Sequence, residues 1–217
     1  GFFRYPSVTA QAFRLAARLL EAGVSPWKVA YRCDEDYPPN RLPLIVNYDF
    51  QDTSPSARVR KSGYIEEGLE WGAGGHNLAA FLYTLQLKHP AHYDRIRRTV
   101  QHACPQFEDF ALAPRPLDPN SILLNWRALD HRDYVLGPHQ ISDGTLRFMA
   151  LATLLLQPTA MLPATIVIDE PELGLHPTAI SALAGLVKQA SFHGQVVLAT
   201  QSPTLVDHFD LRQIRAL

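Results

Sequence analysis

Two adjacent carboxylates, Asp169 and Glu170, directly follow an unbroken apolar run over residues 165–168. Such a run, without polar alternation, predicts a strand buried on both faces, as in a parallel sheet. Ligands of open α/β sheets bind at the carboxyl ends of the strands. We therefore expect Asp169 to hold Mg²⁺, directly or through water, and Glu170 to orient and deprotonate an attacking water. The structural alternative is a strand that exits into an acidic turn.

A second polar segment lies at the end of the next predicted buried strand, which covers residues 195–200. Thr200, Gln201 and Ser202 stand there, directly before Pro203. The amide of Gln201 both donates and accepts hydrogen bonds, so it is suited to contact a γ-phosphate or the attacking water. The alternative is an ordinary polar loop residue.

A third segment, Ser142-Asp143-Gly144-Thr145, opens a long apolar stretch. Ser142 is a good N-cap residue, and Gly144 allows a phosphate to approach the backbone. A helix amino terminus offers unpaired N–H groups and positive dipole charge, which suit an anion. These four residues are therefore predicted to contact the γ-phosphate of ATP. The alternative is a capped helix with no ligand.

The elements that position these segments follow from periodicity and from helix and strand breakers. The last third reads as strand, helix, strand, which predicts a parallel βαβ unit in an α/β fold. Its helix covers residues 177–190, between strands over 165–168 and 195–200. Upstream helices are predicted from Thr9 to Gly23, from Ser25 through Tyr31, near 78–87 and from Pro90. A strand is predicted over 44–48, a mobile loop over 52–75, and antiparallel strands at Leu112, 122–126 and 133–136 with a turn near Asp130.

Composition narrows the class of protein. Of 217 residues, 47% are hydrophobic, which is enough for a sizeable core, and the net charge of −1 gives no bulk attraction to nucleic acid or to an anionic membrane. Only two cysteines occur, so a fold held by several disulfides is not expected, and a reducing cytoplasm is the simplest location. No apolar run reaches the length of a bilayer, so no membrane partner is expected.

From about residue 48 onward the sequence resembles predicted AAA-type ATPases of the ABC/RecF/OLD-like class. Ser142-Asp143-Gly144-Thr145 is similar to the ABC signature, and Ala199-Thr200-Gln201-Ser202-Pro203 to the switch segment. The run from Ile168 to Pro177, Ile-Asp-Glu-Pro-Glu-Leu-Gly-Leu-His-Pro, is similar to a Walker B motif followed by a D-loop. Asp52-Thr53-Ser54-Pro55 and residues 77–82 also look like the middle region of that family.

The resemblance implies ATP hydrolysis with Mg²⁺ by dimeric heads, in which ATP is sandwiched between the Walker loop of one subunit and the signature helix of the other. It also implies a role in DNA maintenance or phage defence, with DNA or a nuclease as partner. Gln201 stands where the family has its switch histidine. No Gly-x-x-x-x-Gly-Lys-Ser/Thr loop occurs, and Gly72-Ala73-Gly74-Gly75 lacks the lysine, so the Walker A lobe is missing and the chain alone is expected to be inactive.

The first 44 residues do not fit this pattern. Gly1-Phe2-Phe3-Arg4-Tyr5-Pro6-Ser7 and residues 16–23 weakly resemble a stretch of DHH-family phosphoesterases, without the Asp-His-His metal motif. We therefore predict a helical segment of uncertain origin over 1–44 and a carboxyl-terminal part of an ATPase domain over 45–217, with a partial RecA/ABC-like sheet and a helical subdomain. Two other functions stay open, a non-catalytic truncated or chimeric scaffold and a DHH-type phosphodiesterase remnant.

Overall fold

The computed structural model describes residues 29–30, 44–48, 50, 52–131 and 133–214. The helix predicted from Thr9, its stop at Gly23 and the DHH-like segment lie outside these residues. The helices are α1 (Leu78–Lys88), α2 (Pro90–Ala103), α3 (Asp143–Leu156), α4 (Pro177–Ala190) and the single turn α5 (Pro203–Val206). The strands are β1 (Val29–Ala30), β2 (Leu44–Tyr48), β3 (Gly63–Tyr64), β4 (Phe107–Phe110), β5 (Pro114–Arg115), β6 (Asp118–Ile122), β7 (Trp126–Ala128), β8 (Thr165–Asp169) and β9 (Gln195–Ala199).

The largest described sheet has the order β1-β2-β8-β9. Strands β2, β8 and β9 are parallel, with Ile168 of β8 paired to Tyr48 on one side and to Leu198 on the other. Helix α4 connects β8 to β9, so the predicted parallel βαβ unit is confirmed. Because the three strands run in the same direction, their carboxyl ends meet at one edge of the sheet.

Helix α3 forms the centre of the core. Every residue from Leu146 to Leu156 is buried, because most of these residues are apolar and the helix packs against both α2 and α4. Helices α1 and α2 begin where the sequence predicted, and α2 buries Tyr93, Ile96 and Val100 at helical spacing. Within the described residues no helix has the length and apolarity needed to cross a membrane.

Two predictions about the upstream elements, the helix through Tyr31 and the positions of the antiparallel strands, are wrong. The helix predicted through Tyr31 is contradicted at Val29–Ala30, which is a strand paired with β2, since tertiary pairing overrides a cap-based local signal. The antiparallel strands exist but fall elsewhere. Residues 122–126 are divided between the end of β6 and the start of β7, Leu112 lies outside any strand, and the stretch 133–136 contributes only the bridge between Leu136 and Trp126.

The segment 52–75 is built of short elements and was wrongly predicted as one loop. It contains two 3₁₀ helices, Arg58–Arg60 and Ile65–Leu69, and strand β3. Ala57 and Val59 are buried, and the side chain of Asn77 donates to the carbonyl groups of Glu67 and Glu70. The polar composition of this segment did not indicate these tertiary contacts, because the sequence signals of a loop and of a 3₁₀ turn are alike.

Candidate functional site

The two adjacent carboxylates lie at the edge where the parallel strands end. Asp169 is the last residue of β8 and pairs with Ala199, the last residue of β9. Both Asp169 and Glu170 are half-buried. The buried strand that carries them, and the sheet edge that receives them, agree with the sequence prediction. Carboxylates at such an edge are available to a cation or to a reacting water.

Glu170 has an unusual backbone conformation. Its φ of 43° makes it the one non-glycine residue with positive φ among the described residues. A left-handed conformation costs a residue with a Cβ about 1–2 kcal/mol, so the surrounding contacts must impose it. The Glu170 N–H donates to the carbonyl of Ala199 at 2.8 Å, and the Glu170 carbonyl accepts from Leu173 at 3.1 Å. The chain therefore turns sharply at Glu170 while β8 and β9 remain tied together.

The surroundings of Glu170 shift the pKa of its carboxyl group. Burial is the largest cause that raises its pKa, and the negative charge of nearby Glu172 raises the pKa further. A hydrogen bond from the backbone N–H of Gln201 acts in the opposite direction and lowers it. Glu170 and Gln201, predicted from separate strands, are thus close enough for the Gln201 N–H to affect the pKa of Glu170. A carboxylate with a raised pKa is a better proton acceptor.

Glu172 is a residue whose role the sequence prediction missed. Its side chain is only 7% exposed, and one carboxylate oxygen, Oε1, accepts a hydrogen bond from the hydroxyl of Thr200. The other oxygen, Oε2, is buried and has no hydrogen-bond partner among the described residues. The Thr200 hydroxyl in turn accepts from the N–H of Ser202 at 3.0 Å. The only sequence signal was an acid within the otherwise apolar or small residues that follow Pro171.

The signature-like segment begins α3 as predicted. Ser142 is the N-cap, and its hydroxyl oxygen accepts from the N–H of Thr145 at 3.2 Å. The same hydroxyl donates to the Thr145 side chain at 2.8 Å. Ser142 and Asp143 are exposed, while Gly144 and Thr145 are half-buried. The amino terminus of α3, with its unpaired N–H groups, therefore faces outward and is accessible to an anion.

A buried arginine, Arg60, fixes the start of α3. Its guanidinium donates to the carbonyl groups of Thr53 at 2.8 Å and Ile141 at 3.0 Å, and also to that of Pro138. It further pairs with the Asp143 carboxylate at 2.6 Å. Asp143 was predicted to contact ATP, but this carboxylate is engaged by Arg60. No sequence signal pointed to Arg60, which belongs to the segment predicted to be a loop.

The signature-like segment packs directly against the D-loop-like turn. A Cβ on Gly144 would lie 2.1 Å from the carbonyl oxygen of Gly174, so only glycine fits there. Gly174 itself has a φ of +74°, which favours glycine. The buried Arg147 donates to the carbonyl of Leu173 and, at 3.0 Å, to that of Phe50. Arg147 thereby ties α3 to the D-loop-like turn and to Phe50, the second residue after β2.

The predicted site residues fall into two groups. Asp169, Glu170 and Gln201 lie together at the sheet edge, and the segment Ser142–Thr145 lies at the start of α3. Within the described part of the chain no hydrogen bond or ion pair joins one group to the other. The turn over residues 171–175 connects them, because it follows Glu170 in the chain and packs against the first turns of α3. The described residues also contain no group of three or more His, Cys, Asp or Glu side chains placed for a metal. Magnesium needs only one or two carboxylates when phosphate oxygens and waters complete its shell, so the oxygen donor of Asp169 fits it.

A model of the family described as "AAA domain, putative AbiEii toxin, Type IV TA system" matches residues 39–207 of the sequence. This range contains all three chemistry-bearing segments and most of the chain. The chain belongs to this AAA-domain family. The predicted AAA/ABC-type ATPase class is therefore confirmed, and so is the α/β P-loop NTPase-like fold class, whose parallel sheet is seen in β2, β8 and β9. A comparison with curated protein sequences gave no significant match.

The AAA-domain chain is also similar in structure to heads of SMC proteins. One is an SMC head bound to the C-winged helix domain of ScpA, with 17% identity, a TM-score of 0.45 and coverage of 59% of this chain and 39% of that one. Another comes from work on ATP-driven dimerization and DNA-stimulated activation of SMC ATPases, with 14% identity, a TM-score of 0.45 and coverage of 59% and 78%.

A third is the Smc head domain with a coiled coil and joint derived from Pyrococcus yayanosii, with 18% identity, a TM-score of 0.45 and coverage of 64% of this chain and 26% of that one. This AAA-domain chain thus spans about two fifths of the first of these structures and about a quarter of the third. The family assignment rests on the sequence match and not on these structures.

Proposed function

We propose that residues 45–217 are the Walker B, signature and switch part of a head that hydrolyses ATP. The observation that carries the proposal is the bond from the Glu170 N–H to the Ala199 carbonyl, which holds the residues after β8 beside the residues after β9. Glu170 directly follows β8 and Gln201 is the second residue after β9, so both lie at one sheet edge, with Asp169 beside them as the last residue of β8. Membership of a P-loop ATPase family supports the same reaction. Hydrolysis of a phosphoanhydride requires a cation site, a proton acceptor and a group that orients water, and these residue types supply all three.

In this proposal each residue has one role. Asp169 holds Mg²⁺, which when bound neutralises charge on the phosphate oxygens of ATP. Glu170 accepts a proton from the water whose oxygen attacks the γ-phosphorus. The side-chain amide of Gln201 donates to or accepts from that water, in the position that a histidine occupies in similar ATPases. The raised pKa of Glu170 favours the proton transfer.

The segment Ser142–Thr145 has a different role in the proposal. Ser142 and Asp143 at the amino terminus of α3 are exposed, and within the described residues no hydrogen bond joins this segment to Asp169 or Glu170. This arrangement supports contact with the γ-phosphate of an ATP molecule held by another subunit, as in a nucleotide-sandwiched homodimer. The proposed partners are accordingly ATP and a second copy of the protein. DNA or a nuclease is a further proposed partner that follows from the family resemblance alone.

The proposed reaction needs a phosphate-binding loop. The 217 residues contain no Gly-x-x-x-x-Gly-Lys-Ser/Thr sequence, so that loop has to be provided by another segment of polypeptide. We place the activity in DNA maintenance or phage defence. The family description names a toxin of a type IV toxin–antitoxin system, and this wording supports the defence role.

A non-catalytic scaffold is the second candidate function. The absence of a phosphate-binding loop from the 217 residues favours it, because signature and Walker B groups do not replace the N–H groups that surround phosphates. The scaffold proposal predicts no turnover even when such a loop is supplied.

The deciding experiment joins residues 1–217 to a phosphate-binding lobe and measures phosphate release from Mg-ATP. We expect turnover that depends on Mg²⁺ and that is lost in an Asp169→Ala variant. The matched control is Asp207→Ala, which removes an acid from the end of α5, outside the candidate site. Turnover absent from the joined protein, despite measurable ATP binding, would support the scaffold function and overturn the ATPase proposal.

A further inference from the structure

Glu172 connects the two loops that carry the proposed base and the proposed water contact. We propose that Glu172 is a positioning residue, which fixes the segment Thr200–Ser202 against Glu170 and thereby sets the place of Gln201. The proposal rests on the proposed function in one respect, namely that Glu170 and Gln201 act on the same water. The fixation of the segment itself does not depend on ATP.

The first support is the burial of the Glu172 carboxylate. A buried carboxylate is costly unless hydrogen bonds compensate for lost water. Within the described residues, the Thr200 hydroxyl is the hydrogen-bond donor to this side chain, at Oε1, and Oε2 has no hydrogen-bond partner. Displacing Thr200 would remove the donor to Oε1 and leave this buried oxygen unsatisfied. The carboxylate therefore holds Thr200 firmly.

The second support is the chain of bonds beyond Thr200. Its hydroxyl donates to Glu172 and at the same time accepts from the Ser202 N–H at 3.0 Å. The Ser202 hydroxyl then accepts from the Leu205 N–H at 3.3 Å and caps α5. Gln201 lies between two residues that this chain of bonds holds, and its own N–H donates to Glu170. A single carboxylate oxygen thus orders the whole turn that follows β9.

The consequence for the reaction is specific. If the Glu172–Thr200 bond is lost, Gln201 moves relative to Glu170, while the signature segment on α3 and the cation site at Asp169 are untouched. Turnover should fall because the water is no longer held between base and amide. Binding of ATP should change little, since none of its proposed contacts involves Glu172 or Thr200. The expected kinetic result is a lower kcat at constant KM.

The first test uses the 217-residue chain without nucleotide and follows amide hydrogen exchange at Gln201 and Ser202. Losing one hydrogen bond worth about 1.4 kcal/mol should speed exchange at both amides about tenfold in Glu172→Ala. Thr200→Val removes the hydroxyl at nearly constant shape and should give the same increase at Gln201 and a larger one at Ser202, because the Ser202 N–H also loses its acceptor. Thr200→Ser and Glu172→Gln keep the donor and the acceptor, so exchange should stay near wild type. Amides of β8 serve as the internal control.

A double variant, compared with the two single variants, provides the decisive test. The double variant Glu172→Ala/Thr200→Val should exchange no faster at Gln201 than either single variant, because both remove the same bond. Additive increases, or wild-type exchange at Gln201 in Thr200→Val, would overturn the proposal. If Glu172→Ala fails to fold, Thr200→Val alone decides, since it creates no buried cavity.

The second test uses the chain joined to a phosphate-binding lobe. Thr200→Val should lower kcat about tenfold at unchanged KM for ATP, and Thr200→Ser should restore it. Wild-type kcat in Thr200→Val, with fast exchange at Gln201, would overturn the catalytic part of the proposal. Failure of the proposed function is distinguishable, because then Glu170→Gln would also leave turnover unchanged while the exchange results still hold.

Discussion

Gly144, in the first turn of α3, lies backbone to backbone against Gly174 in the turn that follows β8. A Cβ at position 144 would approach the Gly174 carbonyl oxygen to 2.1 Å. This contact joins the signature-like segment to the D-loop-like segment inside one subunit. Any side chain at position 144 would push the two segments apart. The atoms that it would meet belong to the backbone of Gly174 and not to the flexible end of a side chain.

Gly144→Ala should therefore destabilise the protein by about 1–3 kcal/mol, the usual cost of forcing extra volume into a packed site. The matched control is Gly185→Ala in α4, where a Cβ would meet nothing within 4 Å. That control should stabilise the protein by about 0.5–1 kcal/mol, because alanine is the better helix former. Urea unfolding of both variants checks the pair. Equal effects at the two positions would contradict the close approach.

Arg60 should be essential for the stability of the segment that precedes α3. Arg60→Ala leaves the buried carbonyl groups of Thr53, Pro138 and Ile141 without this donor, and each unsatisfied group costs about 1–3 kcal/mol. Asp143→Asn removes only the ion pair to a carboxylate that is 67% exposed, which should cost less than about 1 kcal/mol. Thermal melting compares them. An Asp143→Asn effect as large as that of Arg60→Ala would show that the ion pair dominates instead.

Stability should depend on the protonation of His76. Burial, followed by the positive charge of Arg58, lowers the pKa of this imidazole, against an opposing effect of Glu67. A lowered pKa means that the unfolded chain binds the proton more readily, so the folded state loses stability as pH falls through about 6.5. His76→Gln should weaken that loss. Urea midpoints at about pH 7.5 and about pH 5.5 test the difference. A variant with an unchanged pH dependence would assign the effect to other groups.

Some elements could be predicted from the sequence and others could not, for physical reasons. Helix α4 and strands β8 and β9 carry local signals, an N-terminal proline or an unbroken apolar run, and these were predicted within one residue. Contacts between distant segments leave no such trace. Arg60 lies in a polar stretch, yet its guanidinium is held by the carbonyl group of Thr53 in the same stretch and by those of Pro138 and Ile141 in the distant segment before α3.

Within the candidate site, residue types were predictable and their conformations were not. The order of polar residues after β8 and β9 was sufficient to bring Glu170 and Gln201 to one edge. Nothing in the sequence indicated the left-handed backbone of Glu170, since glycine or asparagine is the usual signal for positive φ. The bond between Glu172 and Thr200 was equally hidden, because it depends on where two turns meet.

Glu170→Gln tests the proposed proton acceptor. In the chain joined to a phosphate-binding lobe, this variant should abolish turnover and keep ATP bound, because the amide preserves shape but does not accept the proton of the water. A fall in turnover of at least about 100-fold is expected for the loss of a general base. Phosphate release and nucleotide retention are measured on the same preparation. Turnover near wild type would place the base elsewhere.

The last prediction separates two roles of Ser142. The residue caps α3 through its bond to the Thr145 N–H, and in the proposed dimer it contacts the γ-phosphate held by the other subunit. Aspartate caps a helix as well as serine does, so Ser142→Asp should keep the melting temperature nearly unchanged. Its negative charge would face the triphosphate across a partly dry interface, where like charges repel strongly. ATP-driven dimerisation should therefore be lost.

Two measurements on the chain joined to a phosphate-binding lobe decide between these roles: thermal melting, and light scattering with and without Mg-ATP. Ser142→Thr is the matched control, since threonine keeps the hydroxyl and the cap, and it should still dimerise with ATP. If Ser142→Asp dimerises as well, the start of α3 does not contact phosphate and the signature assignment is wrong. If the aspartate variant instead melts much earlier, Ser142 serves the fold first, because the cap then depends on a hydroxyl that both donates to and accepts from Thr145.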